Sequence, residues 1–194
     1  KCEKYYAISP YAYCAANPVK FVDPTGKWIV GTDGKDVSFD KKKGWSSNAT
    51  VDIVKIAGSM MRTKQGRKTL NKMINSRHPI TLHLDRLSSC NTQGDVVAGE
   101  TFTDYIIDKN GNAKEFEKVV IVIYEKVIKD NMLNDAMYKD SGLSTSDIIG
   151  TVATHEGTHG TDKQANSSFV SKRKAERKAL EIEQKAVDEL KRKK

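Results

Sequence analysis

The chain has 194 residues, enough for one domain with its own hydrophobic core and a short additional segment. Apolar residues make up 38% of the sequence and charged residues 30%, and the apolar residues recur in periodic runs, which excludes a wholly disordered chain. No run approaches the roughly 18 to 20 apolar residues of a bilayer span, so the sequence predicts no membrane span. The first residues have no basic stretch followed by an apolar one, so we expect no signal peptide in this stretch.

The net charge of +8 makes nucleic acid or another anionic surface a candidate partner. Most of this charge is local, because residues 172–194 contain ten Lys or Arg and five Asp or Glu. A solvated basic helix explains such a cluster at least as well as a nucleic-acid groove does. We therefore do not expect nucleic acid to be the partner.

Residues 1–26 differ in composition from the rest of the chain. Tyrosines and prolines are concentrated here, and the N-P and D-P-T-G sequences are typical of successive turns. The order Y-A-Y-C, N-P-V and F-V-D-P-T-G resembles the last turns of an RHS/YD-repeat core, the segment that precedes variable C-terminal toxin domains in bacterial polymorphic toxins. The resemblance implies that residues 1–26 are the tail of this RHS carrier and that residues 27–194 are the toxin domain.

The first part of the toxin domain predicts a hairpin followed by two helices. Short apolar runs on either side of Asp33-Gly34 indicate a hairpin over residues 28–39. Helical spacing of apolar residues follows over 47–76, with Gly58 and Gly66 as the expected breaks between two helices.

The second part of the toxin domain predicts three strands and two helices. In chain order, these are a strand over 80–84, a hairpin of 102–107 and 116–124, and helices over 145–160 and 171–193. Asn110-Gly111 supplies the hairpin turn, and the return strand is almost wholly apolar. This order predicts an α+β domain with a small antiparallel sheet and packed helices.

Three cysteines, Cys2, Cys14 and Cys90, are present. They are too few and too scattered for a disulfide framework, and none forms a C-x-x-C pair. We therefore predict that they are reduced thiols.

The sequence His155-Glu156-Gly157-Thr158-His159 is an H-E-x-x-H motif, which a shuffled chain of this composition would contain about 0.003 times. On a helix, residues four apart lie on one face, so His155 and His159 can bind one zinc ion from the same side. Glu156 would face the water at the open metal position, where it can act as general base and then as general acid. The motif predicts a single catalytic Zn²⁺.

A catalytic zinc site usually has three protein ligands, so a third is needed. A ligand six residues after His159 is excluded because that position is Ala165. Glu176 and Glu183 lie seven residues apart on the apolar face of the last helix, and a carboxylate in that position is costly unless it is paired or bound to a metal. We favour Glu176 and keep Glu183 as the alternative, because periodicity does not separate them.

Three further residues are candidates for supporting roles. Asp162, three residues after His159, is expected to accept a hydrogen bond from a ligand imidazole. The hydroxyl groups of Tyr124 and Tyr138 are candidates for stabilising a tetrahedral oxyanion.

The sequence TVATHEGTHGTD followed by AERKALEIEQKAVDEL resembles the metallopeptidase domains at the ends of polymorphic toxins. The resemblance implies a zincin-like fold of the gluzincin type, with an HExxH helix and a following glutamate helix. It implies a zinc endopeptidase with a protein or peptide substrate and a cognate immunity protein, secreted or delivered into a target cell as part of a larger bacterial protein. It also implies that the substrate lies along an edge strand, for which the strand ending at Tyr124 is the candidate.

Two other functions stay open at this point. The basic charge is compatible with a nuclease toxin, although the sequence contains no set of His, Asp and Asn residues suited to a phosphate-facing metal site. The motif is also compatible with a non-enzymatic binding module in which the metal is structural, with four protein ligands and no exchangeable water.

Overall fold

The computed structural model describes residues 29–31, 35–40, 44–132 and 135–193. The segment interpreted as the carrier tail and the Asp33-Gly34 turn lie outside these residues. None of the helices in the described ranges has the length and apolar character needed to cross a bilayer.

The domain is α+β, with a three-stranded sheet covered by helices and a small two-stranded ribbon. Its elements are β1 Phe39–Asp40, β2 Gly44–Trp45, α1 Val51–Met60, α2 Lys64–Ile74, β3 Ile80–Asp85, β4 Gly99–Ile107, β5 Ala113–Tyr124, α3 Glu125–Asp130, α4 Thr145–His159, a 3-10 turn Lys163–Ala165, and α5 Lys172–Lys191. Most of these elements are predicted by the sequence pattern, but the β1–β2 ribbon and the short α3 are not.

The main sheet has the strand order β3-β5-β4. It is a mixed sheet, whereas the sequence predicted an antiparallel one. β4 and β5 form the predicted antiparallel hairpin, but β3 pairs with β5 in parallel, with Ile80 opposite Val119. The reason is the apolar character of β5, which buries Val119, Ile121 and Ile123 and takes the central position between two partners. Among the described residues, β4 pairs only with β5 and is therefore an edge strand of the sheet.

The two helices after the ribbon are present, but they are divided at a different point from the one predicted. Gly58 lies inside α1, and Gly66 lies in the first turn of α2. The chain turns instead at residues 61–63, because the Thr63 hydroxyl accepts a hydrogen bond from the Gly66 N–H and begins α2.

Helix α4 is the central helix of the domain and carries the H-E-x-x-H motif. It begins at the N-cap Ser144, where a capping box with Asp147 satisfies the first backbone N–H groups, and it ends at His159, one residue before the predicted end. α1, α2, α5 and the β4–β5 face of the sheet all pack against it. The packing against α2 is close because position 157 is glycine: a Cβ there would lie 2.8 Å from Thr69 Cγ2 and 2.9 Å from Met73 Sδ.

The prediction for the cysteines is wrong at Cys90, which is disulfide-bonded. This residue is buried in the loop between β3 and β4. Cys2 and Cys14 lie outside the described residues. The sequence carries no signal for this bond, because Cys90 belongs to no C-x-x-C pair and to no repeating cysteine pattern.

Candidate metal centre

His155 and His159 project from the last turns of α4 onto one side of the helix. Their Nε2 atoms lie 2.9 Å apart, and each side chain is only 12% exposed. The spacing of four residues brings the two rings together, as the helix period requires. Two imidazole nitrogens thus converge on one point, with most of each ring shielded from water.

Glu176, in the first half of α5, supplies a carboxylate at the same point. Its Oε2 lies 3.6 Å from His155 Nε2, and its Oε1 lies 3.7 Å from His159 Nε2. One ligand atom from each of the three residues lies within 4.8 Å of the other two, so His155, His159 and Glu176 could hold one metal ion. Three ligand atoms on one tetrahedral zinc ion at about 2.0–2.1 Å would be about 3.3 Å apart, which is close to this spacing.

Glu183 lies on the opposite side of the His155 ring from Glu176. Its Oε2 is 2.9 Å from His155 Nδ1, and its Oε1 accepts a hydrogen bond of 2.5 Å from the Tyr138 hydroxyl. Among the described residues, the group whose atoms could hold a metal is His155, His159 and Glu176, without Glu183. The structure thus separates the two carboxylates that periodicity left equivalent.

The ring of His159 is held by the loop that follows α4. Its Nδ1 forms a short hydrogen bond with the backbone carbonyl of Ala165, and the Asn166 side chain donates to the His159 carbonyl at 3.1 Å. Nδ1 of each histidine is bonded to an acceptor, so in the neutral form of each ring the Nε2 lone pair is directed at the position between them.

Burial and the surrounding carboxylates shift the pKa values of the two histidines in opposite directions. Burial lowers the pKa of His155, but the neighbouring carboxylates of Glu176 and Glu183 outweigh it and raise the pKa to about 10. Burial lowers the pKa of His159. The carboxylates of Glu176 and Glu183 thus favour positive charge at the His155 ring.

Glu156 is buried between α4 and the edge strand β4. The Thr101 hydroxyl lies 2.7 Å from Glu156 Oε2 and 3.0 Å from its backbone carbonyl, so β4 holds both the side chain and the helix turn. Burial raises the pKa of Glu156 to about 7, despite the opposing effects of His155 and Thr101. A carboxyl group with a pKa near neutrality is suited to accept and return a proton.

Gly99, at the start of β4, makes this close approach possible. A Cβ at this position would lie 2.7 Å from Glu156 Cγ and 2.8 Å from Val152 Cγ1. Neither Gly99 nor Thr101 is among the site residues predicted from the sequence. Neither carries a local signal, because each contacts a residue more than fifty positions later in the chain.

Asp162 does not have the predicted role. Its carboxylate lies 2.9 Å from Lys178 Nζ and 3.9 Å from Lys72 Nζ, and it caps the 3-10 turn through Gln164 N–H. The Nδ1 atoms of both imidazoles already have other acceptors. Asp162 therefore links α2 to α5 instead of supporting a ligand imidazole.

The two candidate oxyanion donors lie in different surroundings. The Tyr138 hydroxyl is buried on the Nδ1 side of His155, where it is bonded to Glu183 and Thr151, so the structure gives it a different role from the one predicted. The Tyr124 hydroxyl donates to Glu100 at 3.3 Å, and burial together with that carboxylate raises its pKa. The oxyanion role of Tyr124 stays a prediction.

The assembled residues could hold a metal ion, because two imidazoles and one carboxylate each offer a ligand atom at one place. The buried Glu156 follows His155 directly on the same helix. Comparisons with protein-family models, with curated proteins and with solved structures find no match to this chain.

Proposed function

We propose that this chain is a zinc-dependent endopeptidase that acts as the C-terminal toxin of an RHS-repeat protein and hydrolyses peptide bonds in proteins of the target cell. The observation that carries this proposal is the convergence of His155, His159 and Glu176 from two helices next to the buried Glu156. An H-E-x-x-H helix followed by a glutamate helix is the arrangement of a gluzincin-type zincin.

The proposed reaction assigns a separate task to each residue. His155, His159 and Glu176 would hold the ion, which when bound supplies Lewis-acid activation of a water molecule at neutral pH. Glu156 removes a proton from the attacking water and then delivers it to the leaving amine. Thr101 holds the Glu156 carboxylate at 2.7 Å, so the base is oriented before substrate arrives.

The substrate is proposed to lie along β4 as an added strand. The strand ending at Tyr124 was the predicted edge, but that strand is β5, which has a partner on each side. β4 is paired only with β5 in the described sheet, and Thr101 and Gly99 of β4 contact Glu156. Backbone hydrogen bonds to β4 would thus carry an extended peptide past the base.

The toxin context is proposed from residues 1–26 and from the charge of the domain. The resemblance of this segment to an RHS core tail supports attachment to a carrier, with delivery into a target cell. The net charge of +8 supports an acidic immunity protein as the cognate partner.

The decisive experiment compares metal content and activity in four proteins purified without chelator. Wild type is expected to contain about one zinc per chain, whereas His155→Ala and Glu176→Ala lose it. Glu156→Gln is expected to keep zinc and to lose cleavage of a casein substrate and toxicity on expression in bacteria.

The outcomes separate the candidate functions. Absence of metal in wild type, even after zinc is offered, would refute the peptidase proposal. Toxicity that persists in Glu156→Gln would show that hydrolysis at this centre is not the killing activity. Plasmid nicking by the same variant would support the nuclease alternative.

A further inference from the structure

We propose that Tyr138 and Glu183 act as a positioning pair that fixes the ring orientation and the tautomer of His155 for metal binding. The inference rests on the metal site in the proposed function, but it does not depend on the substrate or on the toxin context. Neither residue would touch the metal or the reacting atoms.

Glu183 is a buried carboxylate whose two oxygens each have one partner. The residue is 6% exposed, its Oε2 is 2.9 Å from His155 Nδ1, and its Oε1 accepts the Tyr138 hydroxyl at 2.5 Å. A carboxylate is costly to bury unless it is hydrogen-bonded or paired. Glu183 lies on the apolar face of α5 beside Ala179 and Ala186. The contacts with His155 and Tyr138 offset the free-energy cost of burying its carboxylate there.

Tyr138 holds the far side of this carboxylate and is itself fixed in place. The residue is 2% exposed, and its hydroxyl also lies 2.9 Å from Thr151 Oγ1. Thr151 is one helical turn before His155 on α4, whereas Glu183 belongs to α5. The Tyr138 hydroxyl thus joins the two helices that supply the metal ligands.

This arrangement fixes which nitrogen of His155 carries a proton. An ionised carboxylate only accepts hydrogen bonds, so the contact with Glu183 requires a proton on Nδ1. In the neutral ring the Nε2 lone pair is then free, and it is directed towards His159 and Glu176. Removing such a partner of a ligating histidine typically lowers metal affinity by about 10- to 100-fold.

The test uses two variants and a matched control on the same helix. Glu183→Gln removes the charge that holds the Nδ1 proton, and Tyr138→Phe removes only the hydroxyl that holds the carboxylate. Glu181→Gln makes the same chemical change as the first variant at an exposed position two residues away. The measurements are the zinc dissociation constant by competition with a chromophoric chelator, and the visible absorption spectrum of the cobalt(II)-loaded protein.

We expect zinc affinity to fall about 10- to 100-fold in Glu183→Gln and by a smaller factor in Tyr138→Phe. The cobalt spectrum should change in both variants, because the coordinating ring is no longer held in one orientation. Glu181→Gln should match wild type in both measurements. If the two residues had only a structural role, the variants would have a lower thermal midpoint of unfolding, but the zinc affinity and the cobalt spectrum of the folded protein would be unchanged.

The failure of this inference is distinguishable from failure of the proposed function. Wild-type affinity and spectrum in both folded variants would overturn the positioning role while leaving the metal site intact. If Glu183→Gln does not fold, Tyr138→Phe decides the matter, because it keeps the ring and its packing. If wild type binds zinc and the variants lose affinity as expected, but wild type cleaves no peptide, the peptidase proposal is refuted and the positioning role of Tyr138 and Glu183 is supported.

Discussion

Gly99→Ala is the substitution that tests most directly whether the edge strand positions the base. The added Cβ would lie 2.7 Å from Glu156 Cγ and 2.8 Å from Val152 Cγ1, about 1 Å inside the ordinary carbon–carbon contact distance. Both atoms belong to side chains, so we expect the Glu156 side chain to move before the backbone does. Overpacking of this kind reduces the free energy of unfolding by about 1–3 kcal/mol.

The effect on catalysis should exceed the effect on stability. A displacement of about 1 Å at a catalytic group can reduce the rate about 100-fold, so we expect a loss of that size in kcat for peptide cleavage. The zinc content should stay at the wild-type level, because the ligands lie on α4 and α5. The measurements are steady-state kinetics, elemental analysis and urea unfolding of the same preparations.

Gly58→Ala is the matched control for this substitution. Gly58 is an exposed residue inside α1 with no other atom within 4 Å of an added Cβ. Alanine is favoured over glycine in a helix by about 1 kcal/mol, so this variant should be slightly more stable and fully active. Full activity and wild-type stability in Gly99→Ala would refute the reasoning, because they would show that β4 does not constrain Glu156.

Three further predictions concern the base, the metal and acid stability. Thr101→Val should lower kcat about 10- to 100-fold with zinc retained, since a buried carboxylate loses a donor worth about 1–3 kcal/mol, whereas Thr101→Ser should keep most of the activity. Zinc at about 100 times its dissociation constant should stabilise the fold by about 2.7 kcal/mol, and a thermal midpoint that EDTA does not change would contradict a metal site. Burial opposes ionisation of Glu125, but Lys129 and Lys55 outweigh it and lower its pKa from 4.5. This carboxylate therefore stabilises the fold above about pH 4.5, and the contribution is lost as the pH falls through the lowered pKa. Glu125→Gln should reduce the change in the free energy of urea unfolding between about pH 5 and about pH 3. An unchanged pH dependence would exclude the ion pairs of Glu125 as the cause of that change.

The features predicted correctly from the sequence are those set by short-range periodicity. Helix α4 spans Thr145–His159, within one residue of the predicted 145–160, because a capping box and a helical repeat operate within a few residues. The hairpin of β4 and β5 follows from the turn at Asn110-Gly111, where Gly111 has a φ of 81°. The pairing of His155 with His159 on one side of α4 follows from the same helical period.

The choice between Glu176 and Glu183 shows where periodicity fails. Two residues that are seven positions apart on a helix share nearly the same face but lie about 10 Å apart along the axis. Only the crossing of α5 over α4 therefore decides which carboxylate contacts the Nε2 atoms. In the structure Glu176 meets them, and Glu183 meets the other nitrogen of His155.

By itself, the sequence determined the α+β class, the main helices and the pair of histidines with Glu156 between them, because these depend on residues close together in the chain. Only the tertiary structure decided the parallel pairing of β3 with β5, the contact of Thr101 with Glu156, and the separate positions of Glu176 and Glu183. These contacts join residues 17 to 55 positions apart in sequence, from His159 and Glu176 at the lower end to Thr101 and Glu156 at the upper end. Such contacts are selected by the packing of whole elements against a shared core, which no local pattern encodes.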